Sequence, residues 1–178
     1  MQGLDVHDRV IYVGTFSKVL FPSLRLGYLV LPPGLVDDFV TLRTIASGQL
    51  PLIEQAVLAE FIEEGHFGRH LRRMRMLYEE RRTILHEEVH RQLTGVLDMQ
   101  PTEAGMHTIG WLGDRVNDRE VAKAAFAQGV EVAPLSNFHA TRPHRNGLIL
   151  GFSAFDRRQL RAGVKKLSAV LDRVPISS

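Results

Sequence analysis

Cysteine is absent from the sequence, which excludes disulfides, thiolate metal sites and a cysteine nucleophile. Long hydrophobic runs are absent too: no apolar stretch approaches the roughly 18 residues that a membrane-spanning helix needs. Residues 1–8 carry two acids and no apolar segment typical of a secretory signal. An excess of one charge is also lacking, because 22 Lys and Arg against 20 Asp and Glu leave a net charge of +2. That does not make nucleic acid an obligatory partner. We expect a cytoplasmic protein without membrane contact.

The composition is that of an ordinary globular protein. Hydrophobic residues make up 44% and charged residues 24% of the 178 residues, which excludes disorder, collagen and a coiled coil as the whole structure. A chain of this length holds one domain, or one small domain and part of another. Strand and helix patterns both occur along it, so the predicted fold class is α/β.

Two strands are predicted near the start of the chain. Residues 10–13 form a continuous apolar run typical of a buried strand, and residues 24–31 form the second strand. The connection between them is too short for a crossover helix, so the two strands should pair antiparallel. Further helices are predicted over residues 34–46, 52–64, 67–93, 118–128 and 156–174, and further strands over 96–100, 107–112, 130–135 and 148–153.

The predicted helix over residues 67–93 would be roughly 40 Å long. A helix of that length usually joins two structural units, so we place a domain boundary within it. The strands and helices after it predict a small sheet that is covered on one face.

Many arginines lie on this long helix, and they could form a nucleic-acid surface. Glutamates share the helix, however, and Arg75 with Glu79 and Glu87 with Arg91 have the spacing of helical ion pairs. A solvated face of paired charges is therefore the preferred interpretation.

His66 and His70 lie at the start of the same region, four residues apart. They lack the intervening glutamate of a zinc protease, and no metal site is predicted.

The segment between the first two strands carries the candidate chemistry. Lys18 lies in a tight connection between apolar strands, where desolvation would favour a neutral amine that can react with a carbonyl. Thr15, Ser17 and Arg25 would add hydroxyl donors and a forked guanidinium, which suit a phosphate. An amine that forms an imine beside a phosphate cradle describes a pyridoxal phosphate site. The alternative is a solvated lysine in an ordinary turn.

Residues 15–28 closely resemble the lysine segment of fold-type I pyridoxal phosphate enzymes, the aspartate aminotransferase superfamily. Residues 49–55, 61–67 and 70–75 resemble a narrower group, the MocR-type GntR-family regulators. In those regulators an aminotransferase-like domain follows a winged helix-turn-helix. The similarity extends from Val10 to about Val174.

The resemblance implies a role for each matching residue. Lys18 would form the imine with pyridoxal 5'-phosphate and, in a transaminase, move the proton between substrate and cofactor. Thr15, Ser17 and Arg25 would hold the cofactor phosphate. Residues 47–51 would lie where the family's dimer partner approaches the neighbouring cofactor.

The resemblance also implies a domain organisation. Residues 1–66 would be the C-terminal remnant of the large, cofactor-binding domain, and residues 67–178 the small C-terminal domain, entered by the long helix. Family members have several strands before the lysine segment. We therefore expect a C-terminal fragment that lacks half of the cofactor site and the winged helix-turn-helix, so that DNA would be bound only through the missing domain.

Ile149 departs from the family pattern, because transaminases of the family usually place an arginine there to bind the substrate carboxylate. Arg142 is a candidate replacement in substrate binding, as is Arg145, although both suit ordinary exposed arginines. The departure leaves enzymatic activity uncertain. It favours an effector-binding domain of a dimeric regulator whose ligand is a small amine or amino acid. The alternative is a stand-alone aminotransferase acting on an amino acid and a 2-oxo acid.

Overall fold

The structure is a computed structural model that describes residues 2–48, 52–102, 105–140 and 145–173. The described strands and α-helices are, in chain order, β1 (Tyr12–Thr15), β2 (Gly27–Val30), α1 (Val36–Ser47), α2 (Leu52–Glu63), α3 (His66–Leu93), β3 (Leu97–Met99), β4 (His107–Leu112), α4 (Asp118–Ala127), β5 (Ala133–Pro134), β6 (Gly147–Gly151) and α5 (Arg157–Leu171). None of the described helices combines the length and apolar character needed to cross a membrane.

The chain divides into two compact units, the first ending at Arg72 and the second beginning at Arg73. The division falls inside α3, as expected for a long helix that joins two units. The family-based boundary between residues 66 and 67 stays a prediction.

In the first unit, β1 and β2 form an antiparallel hairpin in which Tyr12 pairs with Val30 and Thr15 with Gly27. The predicted antiparallel pairing is confirmed. The predicted burial is wrong: Val13 is 71% exposed. Among the described residues no other strand joins this hairpin, and a two-stranded sheet cannot bury its own faces.

In the second unit, four antiparallel strands form a sheet in the order β3-β4-β6-β5. Alternation along β4 buries Thr108, Gly110 and Leu112 and leaves the intervening side chains partly exposed. The buried face packs against α3, α4 and α5 through Val89, Val121 and Val164, among other residues. The predicted sheet with one covered face is thus confirmed.

Two local predictions in the second unit are wrong. The strand expected over residues 130–135 shrinks to Ala133–Pro134, because the Val130 N–H donates to Ala125 O and closes the end of α4. The ion pairs expected four residues apart on α3 do not form in the described part of the chain. Arg91 instead contacts Glu88, three residues before it.

Candidate functional site

The candidate site lies at the loop end of the β1–β2 hairpin. Beyond the last paired residues, the Phe16 N–H donates to Leu26 O at 3.1 Å and extends the ladder by one step. The chain then makes a helical turn, in which the amides of Val19 and Leu20 donate to Phe16 O at 3.2 and 2.8 Å. Lys18 lies inside this turn.

Lys18 is exposed, and no described residue accepts a hydrogen bond from its amine or forms an ion pair with it. The expectation that apolar walls desolvate this lysine is therefore not met in this unit. The physical reason is that one turn at the end of a lone hairpin has no second layer to cover it. In the described structure the ε-amino group has no hydrogen-bond or ion-pair partner.

The two hydroxyl residues occupy the start of the same loop. The Ser17 N–H donates to Thr15 Oγ1 at 3.1 Å, a local turn in which a side chain takes the place of a backbone acceptor. Thr15 remains exposed and Ser17 is half-buried. A hydroxyl that accepts one bond can still donate its own proton to an anion.

Arg25 occupies the far side of the loop and is exposed. A short 3-10 turn over Pro22–Leu24 leads into it, and Arg25 itself takes the left-handed conformation with φ of 51°. Such a conformation is uncommon for a side chain other than glycine, asparagine or aspartate, and it occurs often at functional sites. Arg25, rather than a glycine, therefore occupies the left-handed position at which the chain turns into β2.

Aromatic rings cover the base of the loop. The Phe16 ring lies 5.4 Å from Tyr28 and 5.8 Å, edge-on, from Phe67 on α3. The adjoining Tyr12 phenol, chiefly through a hydrogen bond, raises the pKa of Tyr28 above its ordinary value. Gly14 leaves room for this packing, because a Cβ there would fall 2.3 Å from the Tyr28 ring.

The donor set of this loop fits the cofactor expected from the sequence. One loop carries a free amine, two hydroxyls and a guanidinium, contributed by Lys18, Thr15, Ser17 and Arg25. The amine suits an aldehyde, and the other three groups suit a phosphate. Their assignment as site residues stays a prediction.

The other expected site residues lie elsewhere in the sequence. Arg142 and residues 49–51 lie outside the described residues. Arg145 lies in the second unit, where its guanidinium stacks 5.3 Å from the Trp111 ring and pairs with Asp98 at 3.6 Å. It is a partnered surface side chain there.

Ile149 lies in β6, opposite Ile109 of β4 and Ala133 of β5. It is half-buried, on the sheet face away from the helices. The paired residues on both neighbouring strands are apolar. Neither strand therefore places a cationic side chain beside Ile149 in the position paired with it.

His70 is a contact that the sequence reasoning missed. Its Nε2–H donates to Val19 O at 2.9 Å, so α3 is bonded to the residue that follows Lys18. His66, one turn earlier, contacts Glu64 and Arg69 instead. The helical spacing of the two histidines is the one sequence signal for this contact, and that spacing does not specify a partner 51 residues away.

Comparison with known proteins gives the relationships of this chain. The family model described as aminotransferase class I and II matches residues 1–167. The probable rhizopine catabolism regulatory protein MocR of Rhizobium meliloti is 42% identical over 94% of this chain and 34% of its own length. The HTH-type transcriptional regulator YdeL of Bacillus subtilis, described as uncharacterized, is 35% identical over 95% of this chain and 36% of its own length.

Solved structures show the same relationship. The kynurenine aminotransferase of Pyrococcus horikoshii, solved in complex with PMP, superposes with a TM-score of 0.86 at 27% identity. The match covers 96% of this chain and 42% of that enzyme. The chain thus has the fold of the C-terminal part of a fold-type I transferase, and it spans about a third of the length of the curated relatives it matches.

Proposed function

The chain belongs to the aminotransferase class I and II family, whose cofactor is pyridoxal 5'-phosphate, and on that premise we propose that it is part of an effector-binding domain in a MocR-type GntR regulator. The supporting observation is the 42% identity to the MocR protein over 94% of the chain. Ile149, at the place of the substrate-binding arginine, supports the same proposal, because an apolar side chain cannot pair with a carboxylate.

The residues of the hairpin loop would hold the cofactor. The Lys18 amine is unpaired in the described structure and would take the covalent position. Thr15, Ser17 and Arg25 would bind the phosphate through hydroxyl and guanidinium donors. The bound cofactor would supply an electron sink for chemistry at a carbon next to an amine.

A regulator would use this site to read the concentration of a ligand. The proposed ligand is a small amine or amino acid, and the proposed assembly is a homodimer. DNA would be bound through another domain of the polypeptide. Ligand binding at the cofactor would then change the affinity for DNA, which is a coupling free energy between two sites.

A stand-alone aminotransferase is the second candidate. It is favoured by the TM-score of 0.86 to an enzyme that is named an aminotransferase. Such an enzyme would transfer an amino group between an amino acid and a 2-oxo acid, with Lys18 moving the proton. It would need a carboxylate-binding cation in place of Ile149, and Arg142 is the remaining candidate for that role.

Two assays on the polypeptide that the gene encodes distinguish the candidates. We expect sequence-specific binding to DNA from its own promoter region, altered by pyridoxal 5'-phosphate. We expect no amine transfer to 2-oxo acids. Rapid transfer to a range of 2-oxo acids without DNA binding would select the enzyme.

The cofactor site has its own test. The same polypeptide is reduced with borohydride in the presence of pyridoxal 5'-phosphate, and its peptides are mapped by mass. The modification is expected on Lys18 and should vanish in Lys18→Ala, but not in Lys123→Ala, which alters an exposed lysine on α4. Equal modification of both lysines would contradict the assignment.

A further inference from the structure

We infer that His70 is a positioning residue for Lys18: it fixes the turn that presents the amine by bonding the carbonyl next to it. The inference rests on the proposed function, since it concerns how the proposed reactive lysine is held. All the residues involved belong to the first unit.

In the described part of the chain, the turn leaves several carbonyls without a backbone partner, and that of Val19 is one of them. Its two internal hydrogen bonds both end on Phe16 O. In the described part of the chain no backbone N–H outside the regular elements donates to Val19 O. His70 supplies that partner with its Nε2–H at 2.9 Å. The imidazole thus satisfies a carbonyl that a short turn cannot satisfy by itself.

A second contact holds the other side of the turn. Phe67 packs edge-on against Phe16, with ring centroids 5.8 Å apart. Phe67 and His70 are three residues apart on α3 and therefore lie on the same side of the helix. Lys18 consequently sits between two residues, Phe16 and Val19, that are both attached to the first two turns of α3.

Attachment on both sides restricts where the Lys18 Cα can move. An exposed four-carbon side chain is flexible, and without a fixed backbone its amine would sample a wide volume. Holding a reacting group near its place lowers the entropic cost of reaching a reactive geometry. The His70 bond therefore acts on Lys18 without touching it.

The experiment measures amide exchange by NMR on the 178-residue chain and its variants. In His70→Leu the donor is lost, and we expect the Leu20 amide to exchange about fivefold faster, as for the loss of one ordinary hydrogen bond. His70→Gln keeps an N–H donor and should restore most of the protection. His66→Leu is the matched control, one helical turn away, and should leave the Leu20 rate unchanged.

A collapse of the first unit is separated from a local effect by the amides of α2, which lies in the same unit, and their exchange should not change in any variant. An unchanged Leu20 rate in His70→Leu would overturn the inference. Equal acceleration in His66→Leu would also overturn it.

Borohydride trapping on the polypeptide that the gene encodes then separates this inference from the proposed function. If wild-type protein traps pyridoxal 5'-phosphate at Lys18, His70→Leu should trap it several-fold more slowly and His70→Gln should recover. An equal trapping rate in all variants would overturn the positioning role. If wild type traps none while the exchange difference persists, the proposed function fails and His70 still holds the turn.

Discussion

At the scale of single residues, Glu88 shows how the second unit holds a buried charge. Its side chain is 7% exposed. It accepts hydrogen bonds from Arg91, from Gln92 Nε2 at 2.8 Å and from Arg161 Nε at 3.0 Å. The Arg91 hydrogen bond, ahead of the opposing effect of burial, lowers the pKa of Glu88 below its ordinary value. The carboxylate is therefore a stabilising anion that links α3 to α5.

Glu88→Gln should lower the free energy of unfolding by about 2 kcal/mol at pH 7, because bonds to a charged acceptor are replaced by weaker ones. The folded-state pKa lies below the ordinary value of 4.5. The carboxylate's contribution is therefore present above pH 4.5 and is lost as the pH falls through the lower folded value. Urea unfolding from pH 7 downward should show the two proteins converging in acid.

The control for this prediction is Glu87→Gln, which changes the exposed neighbour of Glu88. It should alter the unfolding free energy by no more than about 0.5 kcal/mol. A constant difference between Glu88→Gln and wild type at all pH values would contradict the argument.

Gly27 makes a second prediction at this scale. A Cβ at this residue would fall 2.8 Å from the backbone oxygen of Gly14, which cannot turn away as a side chain could. Gly27→Ala should therefore break the end of the hairpin at a cost of about 1–3 kcal/mol, with faster exchange of the Phe16 amide. Gly34→Ala, where nothing lies within 4 Å, should not affect that amide.

The sequence predicted part of the candidate site because its members are neighbours. Thr15, Ser17, Lys18 and Arg25 share one loop, so a local motif is enough to bring them together. His70 is 51 residues from its partner Val19. A contact across that separation depends on how α3 packs, which no local pattern specifies. The exposure of Lys18 depends likewise on neighbours outside the motif.

At the scale of elements, α5 begins with a complete capping box. The Gln159 N–H donates to Asp156 Oδ1 at 2.8 Å, and the Asp156 N–H donates to Gln159 Oε1 at 2.9 Å. Two amides that a helix start leaves unpaired are thereby satisfied. The sequence placed the start of this helix at Asp156, one residue before its first helical residue.

Asp156→Ala should cost about 1 kcal/mol of unfolding free energy, since it removes the cap. The measurement is thermal or urea unfolding followed by circular dichroism. Asp172→Ala is the matched control, because Asp172 lies at the other end of the same helix. There a negative charge opposes the helix dipole, so its removal should be neutral or slightly stabilising. Equal losses in both variants would refute the capping argument.

Strand predictions succeeded or failed according to local competition. Residues 107–112 form a strand with the predicted bounds. The alternating burial of its side chains and its antiparallel pairing with β3 and β6 both favour the extended state. Residues 130–135 are also largely apolar, yet the Val130 N–H is used to end α4 and Leu135 begins a 3-10 turn. Hydrogen bonds to adjoining elements decided the outcome there.

At the scale of the whole molecule, the buried apolar side chains are unevenly distributed. The core cluster draws all its members from residue 84 onward. In the described part of the first unit, Leu58 is the one buried large apolar residue. Hydrophobic burial is the main stabilising contribution in folding. The second unit should therefore account for most of the measured stability.

Amide exchange across the chain tests this expectation. Backbone amides of β4, β6 and α5 should exchange at least about a hundredfold more slowly than those of β1 and β2, because exposed elements open with little cost. Comparable protection in β1 and β4 would contradict it.

The 178-residue chain should also bind pyridoxal 5'-phosphate weakly, since it spans about a third of the length of its relatives. Saturation at a low cofactor concentration in a spectral titration would contradict this prediction.

The two-part organisation was predictable because a 28-residue helix is a strong periodic signal. The degree of burial in the first unit was not predictable, because the sequence of an apolar strand does not show whether other strands cover it. Residues 10–13 have the pattern of a covered strand, but in the structure residues 11–13 are exposed to solvent.

The left-handed turn at Arg25 has an energetic consequence for protein engineering. Glycine at this position would relieve a backbone cost of roughly 1–2 kcal/mol, offset in part by the greater freedom of an unfolded glycine. A search for thermostable variants should therefore select Arg25→Gly or Arg25→Asn. Each such variant would lose the guanidinium that is proposed to bind the cofactor phosphate, so a gain in thermal stability would come with the loss of that proposed contact.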